Sequence, residues 1–523
     1  MGRKCKCECR ECRDYVIVGG GTAGIVCGYL LHKDGKDVVV LEAGEDYDTN
    51  PEIVNAKPIG ALEGGFLNYF FWNTQTQPNA NMPNERHNHM TGGRALGGTS
   101  TTNDQIYWRG TTDEYAQWGG LFANSSYVTN VFKSLETYSG VTQNPADRGN
   151  SGPFFVRQTD LVPVGTKMAQ ALQNALLLPQ FGARNIPIVP DFNATNTPAI
   201  SAQAQVWIRP TGPNVGERQS TSIVLLKNKA SSLEVRKKAT VLRIIFDAVR
   251  QKAKSVEYLL DGKVYRVHAR KSVILAAGAR SCAILMRSGY GPQALLTANN
   301  IPVIYDNPDV GVGLRNHLFV TPQFSCPAAD NQLVARPQGT PLNKDLALMG
   351  AVPAPQDVAT KRSLEYTVIN AATGVGVMAI ILNDPESAGT VKVFTNDPLH
   401  ELIVDMPSLA APSDINRMVE AVKIYKEMIN STPGYGFITP IPVTDADIAA
   451  YVRNNANHIH HYTGTCAVGP VVDSHLRLKG MSKILVADAS IERPSIHGHT
   501  YASACLIGAV AYTELTGNLV VNF

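Results

Sequence analysis

The sequence predicts an α/β fold in two parts: a domain built round a parallel sheet and assembled from separated stretches of chain, and an α+β domain carrying an antiparallel sheet. Three observations predict it. A strand–turn–helix unit with spaced glycines opens the chain, two more strand–loop–helix units lie far downstream, and the stretches between them alternate apolar and polar residues.

At 523 residues the chain is too long for one ordinary core and predicts two to three domains. Apolar residues make up 44% and charged ones 17%, the balance of a globular protein, and a net charge of +3 gives no reason to expect nucleic acid or an anionic membrane as partner. No uncharged apolar run reaches the ~18 residues of a membrane span. The amino terminus, "MGRKCKCECRECRDY", is charged where a secretion signal needs an apolar stretch, so neither signal peptide nor transmembrane segment is expected. Cys5, Cys7, Cys9 and Cys12 crowd a leader, residues 1–13, whose alternating Lys, Glu and Arg read as a disordered tail, with cross-linking or metal capture as lesser readings. Cys27, Cys282, Cys326, Cys466 and Cys505 sit among apolar or glycine-rich neighbours and read as small buried core residues.

"DYVIVGGGTAGIVCGYLLHKDGKDVVVLEAGED", from Asp14, is a strand, a glycine turn, an apolar helix, a second strand and then Glu42. Gly19, Gly21 and Gly24 make G-x-G-x-x-G, and the acid about 20 residues on completes the Rossmann dinucleotide fingerprint. Gly19 permits the tight turn, Gly21 the close approach of a pyrophosphate, and Gly24 close helix–strand packing. The helix N-terminus at Thr22 and Ala23 faces the phosphates, while Glu42, followed by Ala43, takes the ribose hydroxyls. "TGGRALGGTSTTNDQIYWRG", from Thr91, is rich in backbone N–H groups and hydroxyls and suits a second dinucleotide contact. "SVILAAGARSCAILMRSGYGP" from Ser272 and "SKILVADASIERPSIHGHTYASACLIGAVAYTEL" from Ser482 return the chain to the first sheet. A nucleotide domain gathered from such pieces belongs to large flavoproteins more than to NAD dehydrogenases, so FAD is the expected cofactor.

From about Asp14 to the C-terminus these segments resemble the glucose-methanol-choline (GMC) oxidoreductases. The most specific marker is Gly93-Arg94-x-Leu96-Gly97-Gly98-Thr99-Ser100, followed by Asn103 and Tyr107, similar to the family's first signature. A second lies at Gly278 to Gly291, one residue short, with Cys282 and Ala283 where Ser/Thr and Pro are favoured. The resemblance implies that Arg94, Gly97, Gly98, Thr102, Asn103, Asp104, Ala277, Gly278, Asp488, Ala489, His499 and Thr500 join the residues above in binding FAD, with the Val241 backbone on the adenine. Thr102 stands where covalent members carry the attaching histidine, which implies non-covalent FAD. Asp104 replaces a commonly small residue beside the flavin; an anion there opposes negative charge on reduced flavin, which implies a lowered reduction potential or slowed turnover, or else an Asp104 that is protonated or turned away. "GVGLRNHL", from Gly311, has Arg315 and Asn316 where Gln and Asp are usual, a departure expected to alter loop contacts and not the chemistry.

"HIHHYTGTCAVGP", residues 458–470, holds three histidines within four positions. By the resemblance His461, ahead of "YTGTC", is the base, and His499, eleven positions beyond Asp488, is its partner. The chemistry agrees. Oxidising an alcohol requires loss of the hydroxyl proton while a hydride leaves for flavin N5, and neutral imidazole accepts such a proton near neutral pH. His458 and His460 are expected to be structural or surface residues and His497 a rim residue. No usual ligand set surrounds them, so no metal is expected.

The expected FAD domain comprises residues 14–160, 222–316 and 458–523, and the substrate domain 161–221 and 317–457. In the latter, "LEYTVINAATGVGVMAIIL" from Leu364 alternates as antiparallel strands roofing the flavin, "SDINRMVEAVKIYKEMINSTP" reads as an amphipathic helix, and "VPAPQDVATKR" from Val352 as a mobile loop near the entrance. The expected reaction turns a small alcohol into a carbonyl compound, with O2 or another acceptor reoxidising the flavin and a homo-oligomer or self-assembly as the quaternary reading. The cysteine-rich leader resembles GMC-like proteins of giant DNA viruses. With Asp104 and the altered second signature, it motivates an alternative, a virion structural or assembly protein that keeps the fold and FAD; the chain is otherwise expected to be intracellular.

Overall fold

The computed structural model describes every residue except 1–10, 55–70, 84–85, 211–215, 229, 332–345, 360 and 521. Its first strand, β1 (Cys12–Val18), buries Tyr15 to Val18, and α1 (Thr22–Lys33) and β2 (Val38–Leu41) follow, with β2 parallel to β1. The leader therefore ends before Cys12 and not at residue 13; Cys5, Cys7 and Cys9, and the disorder expected of them, lie outside the described residues. An antiparallel hairpin, β3 (Phe71–Gln75) and β4 (His89–Gly93), leads to the first signature loop. Helix α2 (Thr112–Ala116) starts at a capping box, in which Thr111 and Glu114 satisfy each other's backbone N–H groups.

The chain then crosses to the second domain through α3 (Pro163–Leu177) and β5 (Ala199–Gln203). It returns with β6 (Glu234–Arg236), β7 (Thr240–Asp247), β8 (Lys252–Leu260) and β9 (Lys263–Leu275). The first sheet then runs β7–β8–β9–β1–β2–β6. Pairings of β9 with β1, β1 with β2 and β2 with β6 are parallel, and the β-branched runs of β1, β2 and the end of β9 are buried on both faces, as expected of such strands.

Past β10 (Val312–Leu314), β11 (Leu318–Val320) and β12 (Gln323–Ser325), strands β13 (Leu346–Val352), β14 (Leu364–Ala372) and β15 (Val375–Leu382) form the centre of an antiparallel sheet with β5 at one side and β12 at the other. Next come β16 (Gly389–Val393), β17 (Leu402–Asp405), α4 (Pro412–Asn430), β18 (Asn457–His458), β19 (Ile484–Val486) and α5 (Thr500–Thr516). Strand β19 adds to β9 in parallel. Helices α3 and α4 bury Leu172, Met418, Val422 and Tyr425 against Ile380 and Leu382 of the antiparallel sheet, which makes the second core.

Two sequence expectations change. Residues 389–406, assigned to the substrate domain, belong elsewhere: β16 pairs with β10 and β17 with β16, and Val391, Val393, Leu402, Val404 and Met406 pack into the first domain's core. Their alternation suits either domain, and only the tertiary partner decides. The segment from Val352, expected to be mobile, is pinned: Arg184 donates to the carbonyls of Ala354 (3.0 Å), Pro355 (3.0 Å) and Asp357 (2.6 Å), and Arg417 pairs with the Asp357 carboxylate at 2.9 Å.

Helices α1 and α5 are buried on nearly every side, so both carry small residues where they meet. A Cβ at Gly508 of α5 would press on the Ala23 carbonyl and the Val26 side chain of α1. Gly508→Leu is therefore expected to destabilise by about 1–3 kcal/mol or more through overpacking, read as a lowered midpoint of thermal unfolding. Gly92→Ala, where nothing lies within 4 Å of the added methyl, should stay within about 0.5 kcal/mol of the parent.

Candidate active site

The sequence-predicted cofactor residues gather at the carboxyl ends of the parallel strands, where ligands bind in open α/β sheets. Gly19 to Gly24 leave β1 for α1, Glu42 and Ala43 follow β2, Ala277 and Gly278 follow β9, Asp488 and Ala489 follow β19, and His499 and Thr500 start α5. Val241 lies on β7, one strand pair out from β9. Arg94, Gly97, Gly98, Thr102, Asn103 and Asp104 follow β4 and flank the short 3-10 turn Gly98–Thr101.

Each glycine of the first motif has its own reason. A Cβ at Gly19, where φ is +103°, or at Gly24 would run into backbone carbonyls, of Ala276 and of Gly19 respectively. A Cβ at Gly21 would meet only Gly98 at 3.9 Å and the Ala276 carbonyl at 4.0 Å, so this glycine leaves a cradle between two loops rather than filling a contact. Gly21 is the N-cap of α1, which has no side-chain cap and no acid in its first turn, so its N–H groups and positive dipole end face that cradle. Glu42 is buried, with one carboxylate oxygen accepting from Gly20 N–H (2.8 Å) and the other from Gly44 N–H (2.7 Å). Burial pushes it up to about 7, against the pull of those N–H groups and of Arg94. Each carboxylate oxygen keeps a second acceptor site for a ribose hydroxyl.

Asp488 ties two separated segments. Its side chain accepts from Ser490 N–H (2.8 Å), Gly278 N–H (3.0 Å) and the Ser281 hydroxyl (2.6 Å). The hydroxyl sought at Cys282 in the shortened second signature is thus supplied one position earlier, by Ser281, which also accepts from Ala277 N–H. Beside Asp104 lies a residue the sequence reading passed over. Arg218, fully buried, donates to the Asn103 carbonyl (2.6 Å) and side-chain oxygen (3.0 Å). Burial lowers Arg218 to about 10, and the facing Asp104 carboxylate is the main pull back up. The Asp104 carboxylate is therefore faced by a buried cation.

The three histidines of "HIHHYTGTCAVGP" part company. His458 is buried on β18 against the Ser408 hydroxyl at 2.6 Å, a structural role. His460, at φ +64°, turns to the Tyr462 hydroxyl at 3.1 Å, and Tyr462 donates to the His89 carbonyl of β4. His461 faces His499, with ring centroids 4.8 Å apart and planes at 81°. Among the described residues no group of His, Cys, Asp and Glu could hold a metal ion. The five scattered cysteines are buried free thiols.

Side chains that pattern reading missed hold this pair. Nδ1 of His461 lies 3.0 Å from Nδ1 of His317, and His461 N–H donates to Asn316 Oδ1 at 2.8 Å. The "GVGLRNHL" departure therefore touches the candidate base directly, contrary to expectation. His499 Nε2 lies 3.1 Å from Glu365, a fully buried carboxylate on β14. The signal for Glu365 was a lone acid in an otherwise apolar strand pattern; for His317 it was an imidazole in a segment already noted as atypical. A Cβ at Gly498 would collide with the Trp108 ring, so this glycine lets His497 and His499 turn opposite ways. His497, expected at the rim, is instead buried in an ion cluster: Nδ1 lies 2.7 Å from Glu114 and Nε2 3.7 Å from Asp384, which also binds Lys361.

Burial, aided by neighbouring histidines, holds His461 well below its usual range, and burial above all holds His317 and His458 at about 3 and His460 at about 4. His497 goes the other way, to about 9, because Glu114 and Asp384 outweigh its burial.

A dinucleotide cradle at strand ends, with two imidazoles converging beside a helix N-terminus, defines an oxidoreductase of the Rossmann flavoprotein class. The GMC oxidoreductase family model matches residues 13–319 and 385–508, and the chain belongs to the GMC oxidoreductase family. It is a flavoprotein whose cofactor is FAD. The chain is 28% identical to the alcohol dehydrogenase (acceptor) of Pseudomonas putida, over 94% of both chains. It is 26% identical to patulin synthase of Penicillium expansum, over 97% of this chain and 92% of that one. Among solved structures it is similar to pyridoxine 4-oxidase from Mesorbium loti, with a TM-score of 0.82 and 23% identity over 97% of this chain and all of that one. The open cradle at Gly21, the uncapped start of α1 and the buried Glu42 fit FAD. No described helix is long and apolar enough to cross a membrane.

The histidines set a pH dependence of stability. The neutral group (His317, His458, His460) binds fewer protons folded than unfolded below the usual value near 6.5, so its penalty is absent above 6.5 and grows as pH falls towards 3–4. His497 stabilises fully below 6.5 and loses that contribution as pH rises through about 9. The histidines' contribution should therefore fall on both sides of roughly pH 6.5, read from pH 4 to pH 10 as the difference in thermal midpoint between the parent and His→Gln variants. Buried Glu42, Asp48 and Glu492, raised to about 7, 7 and 8, lose stability over part of the same range in parent and variants alike, and so cancel from that difference. His497→Gln should remove the His497 component of the alkaline limb, on the order of 2–3 kcal/mol.

Proposed function

We propose that this flavoprotein oxidises the CH–OH group of a small alcohol to an aldehyde or ketone, with His461 as the base and His499 as its partner. The observation that carries the reading is the converging pair itself. One imidazole is held neutral by burial and the other is fixed by a buried carboxylate, both at the mouth of a dinucleotide cradle. The alcohol dehydrogenase relative at 28% identity supports an alcohol as donor.

In this reading His461 uses Nδ1 for His317 and offers Nε2 to the substrate hydroxyl, whose proton it accepts. His499, held through Nε2 by Glu365, fixes the far edge of the substrate site and limits where the hydroxyl can sit. Bound FAD supplies the hydride acceptor. The start of α5, with no acid in its first turn and no side-chain cap, brings a partial positive charge to this region. Arg94, Gly97, Gly98, Asn103 and the first-motif glycines are assigned to the cofactor, with Glu42 on its ribose and Val241 against its adenine. Thr102 is a buried threonine whose hydroxyl faces the Thr99 carbonyl at 3.4 Å, so the FAD is proposed to be non-covalent.

Purified protein should show flavin absorption bands that bleach anaerobically with one class among aromatic, aliphatic, sugar and choline-type alcohols. His461→Ala should keep its FAD and slow that bleaching by roughly 10²–10⁴-fold. Bands that bleach with no class tested would favour the scaffold reading over the enzyme. Acid precipitation should release all the flavin into the supernatant; flavin retained in the pellet would contradict a dissociable cofactor.

A further inference from the structure

We propose that His317 is a positioning residue for the base: its Nδ1 accepts a hydrogen bond from His461 Nδ1–H, which fixes His461 in the tautomer that offers an unprotonated Nε2 to the substrate. The inference rests on the reading of His461 as base.

The two Nδ1 atoms lie 3.0 Å apart, with the rings edge to face at 89°. That distance requires one proton between them. Two protons would set N–H against N–H, and none would leave two lone pairs opposed. Both rings are kept neutral by burial, which removes the doubly protonated form at working pH. Two arrangements remain. If His317 donates, His461 carries its proton on Nε2 and cannot accept one there. If His461 donates, Nε2 is a lone pair, and the proton taken from the substrate hydroxyl makes an imidazolium whose Nδ1–H still binds a neutral acceptor. Proton count is conserved: one proton passes from the substrate oxygen to Nε2, and the one between the rings stays.

The surroundings favour the second arrangement. No hydrogen bond of normal geometry reaches His317 Nε2, but the Ile496 backbone acts on this ring in the direction that raises its proton affinity. Because Nδ1 is engaged by His461, Nε2 is the ring nitrogen left to face that backbone, which places the His317 proton there and leaves Nδ1 to accept. The charged and titratable groups facing His317 are His461, His499, His497 and Asp384; those facing His461 are His317, His499 and His460. The backbone holds the rings in place as well. Arg315 and Thr463 exchange N–H to carbonyl bonds, each 3.1 Å, and Asn316 Oδ1 takes the His461 N–H at 2.8 Å. Three consecutive residues thus brace the base, two through its backbone strand and one through its ring.

The test uses the FAD-loaded protein with ¹⁵N-labelled histidine and pairs nitrogen shifts with stopped-flow flavin reduction. Wild type should show His461 protonated at Nδ1. His317→Phe should move His461 towards the Nε2–H form and slow reduction by roughly 10²-fold, with FAD occupancy and substrate KM unchanged. His317→Asn, which can place an oxygen where Nδ1 stood, should restore the Nδ1–H form and most of the rate. If His317→Phe is not tolerated by the fold, His317→Ala carries the same expectation. Wild type found in the Nε2–H form, or a His317 variant with unchanged tautomer and rate, overturns the proposal. Flavin reduction that survives His461→Ala would overturn the reading of His461 as base instead, and the tautomer measurement would still decide what His317 does.

Discussion

The site depends on one register. Val18 of β1 lies opposite Leu275 of β9, and Leu275 lies opposite Val486 of β19, so three stretches hundreds of residues apart leave the sheet at one level. Strand β9 makes this possible by its length. Its first part pairs antiparallel with β8 and its last part in parallel with β1 and β19. A slip of one residue would put Val273 and Leu275 on the face that Ile274 fills and Ile274 on theirs, so the packing of each buried face enforces the register. Gly19, Gly278 and Asp488 then meet by construction, and the Asp488 side chain closes the junction on Gly278 and Ser281.

Charge is sorted around this junction by what each buried group faces. His461, His317 and His458 face mainly other imidazoles or hydroxyls, so burial, aided by neighbouring imidazoles, outweighs the pull of Asp384 on His317 and keeps them neutral. His497 sits just two positions from His499, yet faces Glu114 and Asp384 and holds its proton. Gly498 separates the two environments, because only a residue without a side chain passes beneath Trp108 there. The cation that anchors Glu114 and Asp384 is thus kept apart from the His461–His499 pair by a single glycine.

What was legible in the sequence was what is local. The glycine spacing, the β-branched strands and the Leu364–Leu382 hairpin all read correctly, because turn geometry and side-chain alternation are set within a few residues. What was not legible depends on partners far along the chain. His497 was read as a rim residue because its carboxylates, Glu114 and Asp384, come from distant segments. Residues 389–406 alternate like a substrate-domain strand pair, and only their burial beside β10 assigns them to the first domain. The histidine pair itself was found through the resemblance; its supports, His317 and Glu365, had no spacing to announce them.

Asp104 shows how a departure from a pattern can be met by a residue far along the chain. A carboxylate beside the flavin would by itself make added electrons less welcome. Arg218 offsets it from a fully buried position, braced by the Ile53 and Asn103 carbonyls, and reaches the site from the segment where the chain returns from the second domain. Arg218 is buried and Asp104 exposed, so loss of Asp104 would leave the guanidinium without that carboxylate in a dry setting, whereas loss of Arg218 would leave a carboxylate that water can solvate. Asp104 therefore does not act alone: the buried Arg218 cation faces it and offsets part of its charge.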